Sequence, residues 1–62
     1  MVGDEASVWT ALTVEPTHID AVVHLTGLPA GSVGSALLLL EMKSLVRQFP
    51  GKRFARRAEP VP

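Results

Sequence analysis

Lys43, Arg47, Lys52, Arg53, Arg56 and Arg57 are the 6 Lys and Arg side chains of this 62-residue sequence. Ahead of them stand Asp4, Glu5, Glu15, Asp20 and Glu41, with no Lys or Arg among them. Only Glu59 opposes the later group, so a charge of −5 on residues 1–42 faces +5 on residues 43–62 behind a net charge of zero. Such asymmetry points to one anion-facing end rather than to a generally basic protein. Arg47, Lys52, Arg53, Arg56 and Arg57 flank Pro50-Gly51, a dipeptide that marks a turn. Side chains of this kind contact phosphate, and five contacts on duplex DNA imply a log–log salt slope of about −4.5. Binding of that sort is weak and indifferent to base sequence. The competing reading is a solvated hairpin edge, on which lysine and arginine block edge-to-edge strand pairing.

Other chemistries find little support. Asp20 and His24 are spaced to share a helix face with His18 nearby, but zinc sites need three or four ligands and the chain has no cysteine and no third histidine. A capping role for Asp20 and an exposed His24 account for them, and no metal or other cofactor is expected. Gly31-Ser32-Val33-Gly34 matches the GXXG of KH domains, yet it lacks flanking bases and that fold's third strand. There is no phosphate-binding G-x-x-x-x-G-K-[ST] and no paired nucleophile and base. A chain of this length leaves little room for a substrate cleft, so no enzymatic activity is expected. Trp9 is assigned to the core. A base-stacking platform would need more aromatics beside the cations; Phe49 and Phe54 are there, and are expected to pin the hairpin to the body.

The elements that must carry these residues follow from pattern. Asp4 to Leu12 predicts a first helix, with acids in its first turn and Val8, Trp9 and Leu12 on one face. Glu15-Pro16 ends it, since the residue before proline avoids helical angles. Thr17 followed by Asp20 has the form of a capping box and opens a second helix with Ile19, Val22, Val23 and, at the margin, Leu25 inward. Gly27 provides a left-handed stop. Pro29 suits the first position of a third helix, whose apolar stripe is Val33, Ala36, Leu37 and Leu40. Val46 to Phe49 and Arg53 to Ala55 predict a hairpin around Pro50-Gly51-Lys52. Helix, tight turn, helix and two-stranded ribbon is the order of a small winged helix-turn-helix, an α+β fold that is mostly α. The domain is placed at 4–57, and Ala58-Glu59-Pro60-Val61-Pro62 is expected to be a disordered tail.

One small domain is all that this length allows. Such a chain buries only about 60% of its unfolded surface and is marginal without support. The absence of cysteine removes disulfides and gives no sign of an oxidising compartment. The longest run free of both charged residues and histidine, Leu25 to Leu40, contains Pro29 and three glycines and falls short of the roughly 20 apolar residues that span a bilayer. No basic stretch precedes an apolar one at the N-terminus, as a secretory signal would require. A cytoplasmic location and no membrane partner are expected.

The third helix would enter the major groove in most winged helices, where base readout needs Arg, Lys, Asn or Gln. Its outward positions are instead Ser32, Ser35, Leu38 or Leu39, and Glu41, with Lys43 at the far end. Four consecutive leucines, Leu37 to Leu40, cannot all face one core because a helix turns about 100° per residue. Leu38 or Leu39 is therefore left at least partly outside, as a protein-contact or homodimer surface.

The phrase THIDAVVHLTGLPAGSVGSALLLLEMKSLVRQFPGKRF resembles the C-terminal winged-helix domain of DNA-processing protein A (DprA), a bacterial factor of natural transformation. The marks are Glu15-Pro16 before Thr17-His18-Ile19-Asp20, then Thr26-Gly27-Leu28, the leucine run ending in Glu41, Leu45-Val46-Arg47 and Pro50-Gly51. The resemblance covers about residues 5 to 57. It implies a parent protein that binds incoming single-stranded DNA and helps load a RecA-type recombinase, activities assigned chiefly to a preceding Rossmann-like domain for which this chain has no room. It also implies that the chain is a piece of such a protein, acting as an accessory domain through a basic wing or an interaction face on the third helix. The DNA-binding domain of a transcriptional regulator and a pure interaction module are the alternatives.

Overall fold

A computed structural model describes residues 3–57, and its elements run α1 (Asp4–Ala11), β1 (Thr17–His18), α2 (Ile19–Thr26), α3 (Ala30–Met42), β2 (Val46–Phe49) and β3 (Arg53–Arg56). This is the winged helix-turn-helix expected from the pattern. Residues 58–62, expected as a tail, lie outside the described residues.

The three helices pack their apolar faces together. Val8, Leu12, Val22, Val33, Ala36, Leu37 and Leu40 are buried, and Val46 and Phe54 seal the core from the sheet side. At about 25 cal/mol per Å² this apolar burial is the main term holding so small a domain together. Trp9, Ile19 and Val23 pack at its margin, half-buried. Leu25 departs from its expected inward position and is 63% exposed. It lies three residues beyond Val22, near the end of a short helix whose neighbours there are α1 side chains such as Thr10 and Ala11 rather than a deep core.

Helix ends explain the turn geometry. The cap of α2 is His18 rather than Thr17: its Nδ1 accepts the Asp20 amide at 3.0 Å. The Thr17 hydroxyl instead turns back and donates to the Glu15 carbonyl at 3.2 Å, while both Thr17 and His18 pair with β3. Gly27 adopts φ 70° and ends α2 as a left-handed cap. Pro29 falls one position earlier than expected, as the N-cap of α3. The break between α2 and α3 bends the chain by 111°, within the range of helix-turn-helix pairs. At the other end of α3, Ser44 takes φ 62° while its amide donates to the Glu41 carbonyl at 2.9 Å.

The sheet has the order β1-β3-β2 among the described residues, one strand more than the expected ribbon. Two residues of β1 are too short to show any period in the sequence. β2 and β3 pair from Val46↔Arg56 to Phe49↔Arg53 around a three-residue loop, in which Gly51 (φ 85°) and Lys52 (φ 58°) both adopt positive φ. The Lys52 carbonyl accepts the Ile19 amide at 2.9 Å, tying the loop to the start of α2.

Candidate nucleic-acid interface on the wing

Register and alternation separate the cations. Directly opposed residues share a sheet face, and successive residues alternate between faces. Arg47, Phe49, Arg53 and His18 therefore fall on one face, through the pairs Arg47↔Ala55, Phe49↔Arg53 and His18↔Arg53. Val46, Phe54 and Arg56 fall on the other, the face that meets the helices.

On the outer face Arg47 and Arg53 are exposed, with Lys52 exposed in the adjoining loop. The Arg47 guanidinium carbon sits 5.8 Å from the centroid of the half-buried Phe49 ring. Arg53 braces the loop, its Nε donating to the Pro50 carbonyl at 3.0 Å. The expectation for the two phenylalanines holds for Phe54, which is buried in the core. Phe49 is instead on the outer face beside the arginines. His18 was not among the expected site residues; it flanks Arg53 through a strand that no periodicity could reveal.

Two of the remaining cations, Arg56 and Lys43, are engaged within the chain. Arg56 lies with its guanidinium carbon 3.8 Å from the Trp9 ring centroid. Its Nε donates to the Trp9 carbonyl at 2.9 Å and a terminal nitrogen to that of Thr10 at 3.2 Å. These carbonyls sit at the C-terminal end of α1, the negative end of the helix dipole. Lys43, just past α3, donates to both carboxylate oxygens of Glu5, at 3.1 and 2.9 Å. Arg57 is half-buried, and its Nε is buried with no hydrogen-bond partner among the described residues. Of six expected contacts, the fold thus brings Arg47, Lys52 and Arg53 together at the outer face and loop.

The outer face of α3 has the composition expected for it. Ser35, Leu38, Leu39 and Glu41 are exposed and Ser32 is half-buried; both leucines emerge, at 58% and 46%. Gly31 and Gly34 lie within the early turns of this helix, not in a nucleic-acid-clamping loop. No cluster of three His, Cys, Asp or Glu side chains that could hold a metal ion occurs among the described residues, where His18 caps α2 and His24 is exposed. No single helix there is long and apolar enough to cross a membrane.

Three helices, a 111° turn and a basic β-loop define a small winged-helix domain. The model of the DprA winged helix domain family matches residues 2–52, and the chain belongs to that family. Protein Smf of Synechocystis sp. is 47% identical over 47 residues, which are 76% of this chain and 12% of that protein. The chain thus spans only a small part of the length of that curated relative. No solved structure matches it.

Proposed function

We propose that this domain is a non-catalytic accessory module of a DprA-like DNA-processing protein acting in natural transformation, in the cytoplasm. The parent protein binds incoming single-stranded DNA and hands it to a RecA-type recombinase; the wing adds sequence-independent contact with single- or double-stranded DNA. The observation that carries this reading is the trio Arg47, Lys52 and Arg53, exposed around one loop while Lys43 and Arg56 are committed elsewhere. The face of α3 that would enter a major groove offers serine, leucine and glutamate, which supports backbone contact over base readout.

Three phosphate contacts give a slope of about −2.7 on duplex, which is roughly a 40-fold loss of affinity between 50 and 200 mM salt. Titration of the 62-residue chain with single- and double-stranded DNA at those two salt concentrations tests this. Binding abolished by joint Arg47→Gln, Lys52→Gln and Arg53→Gln substitution supports the wing. No binding at low salt, or binding unchanged by the triple substitution, removes it, and one operator strongly preferred over random DNA would restore the transcriptional-regulator reading.

A further inference from the structure

The outer face of α3 combines three features that its own fold leaves unexplained. Leu38, Leu39 and Met42 are 58%, 46% and 73% exposed, a contiguous apolar patch on the last turns of the helix. Single exposed apolar residues are ordinary, but a contiguous patch on a small domain marks a contact surface. Gly31 and Gly34, nearer its start, have nothing within 4 Å of where a Cβ would stand. Each weakens the helix relative to alanine, and neither adopts the positive φ that would require glycine. Both leave open space in which another backbone can approach closely. Between α1 and α3 runs an open groove of about 710 Å³, lined by Asp4, Glu5, Gly31, Ser32, Ser35 and Leu39 among others.

Charge decides what fits there. Asp4 lines the groove and exposed Glu41 lies three residues beyond Leu38, while Glu5, also in the lining, is already neutralised by Lys43. Lys43, the nearest cation in sequence, is held by Glu5 at 2.9 Å. A carboxylate rim repels phosphate, so DNA and anionic lipid are disfavoured on this face. We propose that the α1–α3 groove and the Leu38–Leu39–Met42 patch dock a basic amphipathic helix of another protein. Its apolar stripe would lie on the leucines, its backbone would approach at Gly31 and Gly34, and its Lys or Arg side chains would reach Asp4 and Glu41. This is helix-in-groove recognition with the charge complementarity that sets specificity. The wing's contacts are on other elements, so this inference stands or falls separately from the DNA reading.

The test titrates the isotope-labelled 62-residue chain with a short amphipathic Leu/Lys helical peptide and, separately, with its Leu/Glu counterpart. The expected result is about tenfold or greater preference for the Lys peptide, weakening with salt, with amide shifts confined to α1 and the outer face of α3. Leu39→Asp should abolish it, whereas Leu25→Asp, on an exposed leucine outside the groove, should not; both positions are exposed and the variants are checked for unchanged circular dichroism. Equal affinity for the two peptides, shifts centred on the β2–β3 loop, or a concentration-dependent dimer that occupies Leu38 and Leu39 without peptide would each overturn the proposal.

Discussion

Arg53 and Arg56 stand on the same strand and have opposite surroundings. Arg53 faces water on the outer side of the sheet, with one bond to its own loop. Arg56 faces the helices, stacks on Trp9 and donates to two carbonyls that end α1. Three residues is an odd step, and an odd step along a strand changes face. Charge density along a sequence is therefore a poor guide to charge density on a surface: the same guanidinium is a tether on one side and a free cation on the other.

The strongest way to break this contrast is Arg56→Ala. It removes the stack on Trp9, worth about 0.5–2 kcal/mol, and leaves the part-buried Trp9 carbonyl and the exposed Thr10 carbonyl without their charged donor. A loss of about 2 kcal/mol is expected, which at about 4–8 °C per kcal/mol for a domain this small lowers Tm by roughly 10 °C. Arg56→Lys should recover little, because a compact ammonium cannot both stack and fork between two acceptors. Thermal denaturation of both variants checks this; a Tm within a degree or two of the parent would show that Arg56 is not a tether.

Lys43→Met comes next. The pair with Glu5 bridges α1 to the end of α3, with Glu5 largely covered and Lys43 half exposed. Partly exposed pairs contribute about 0–1 kcal/mol, so a loss of about 0.5 kcal/mol is expected, shrinking as salt screens the pair. Equal loss at low and high salt would attribute the effect to the lysine stem's packing instead.

Much of this was legible beforehand, and the reasons for the rest are specific. Every element of the fold except β1 follows from pattern: Val33, Ala36, Leu37 and Leu40 recur at helical spacing and all are buried, and Gly27 stops α2 in the left-handed conformation that glycine favours. The exposure of Leu38 and Leu39 follows from four leucines on a helix that turns too fast to bury them all. The face of Arg56 was also within reach, since Phe54 inward on β3 places Arg56 inward. Its partner was not, because Trp9 is brought beside it only by the packing of α1 onto the sheet. The Lys43–Glu5 bridge is equally non-local, as is the pairing of Thr17 and His18 with β3, after which α2 starts at Ile19 with His18 as its cap.

The smallest effects on stability belong to the outer cations, and these sharpen the contrast most. Arg47→Gln and Lys52→Gln should each change stability by less than about 0.5 kcal/mol, as exposed surface substitutions do, while each removes about 0.9 from the magnitude of the salt slope for duplex DNA. Arg53 separates the two functions within one side chain. Arg53→Lys keeps the positive charge and loses the Nε bond to Pro50, so stability should fall by a few tenths of a kcal/mol, up to about 1, with the slope unchanged. Arg53→Gln should lose the slope contribution as well. If Arg53→Lys flattened the slope as much as Arg53→Gln, loop shape rather than charge would govern DNA contact, and the division between tethering and free cations would have to be redrawn around the β2–β3 loop.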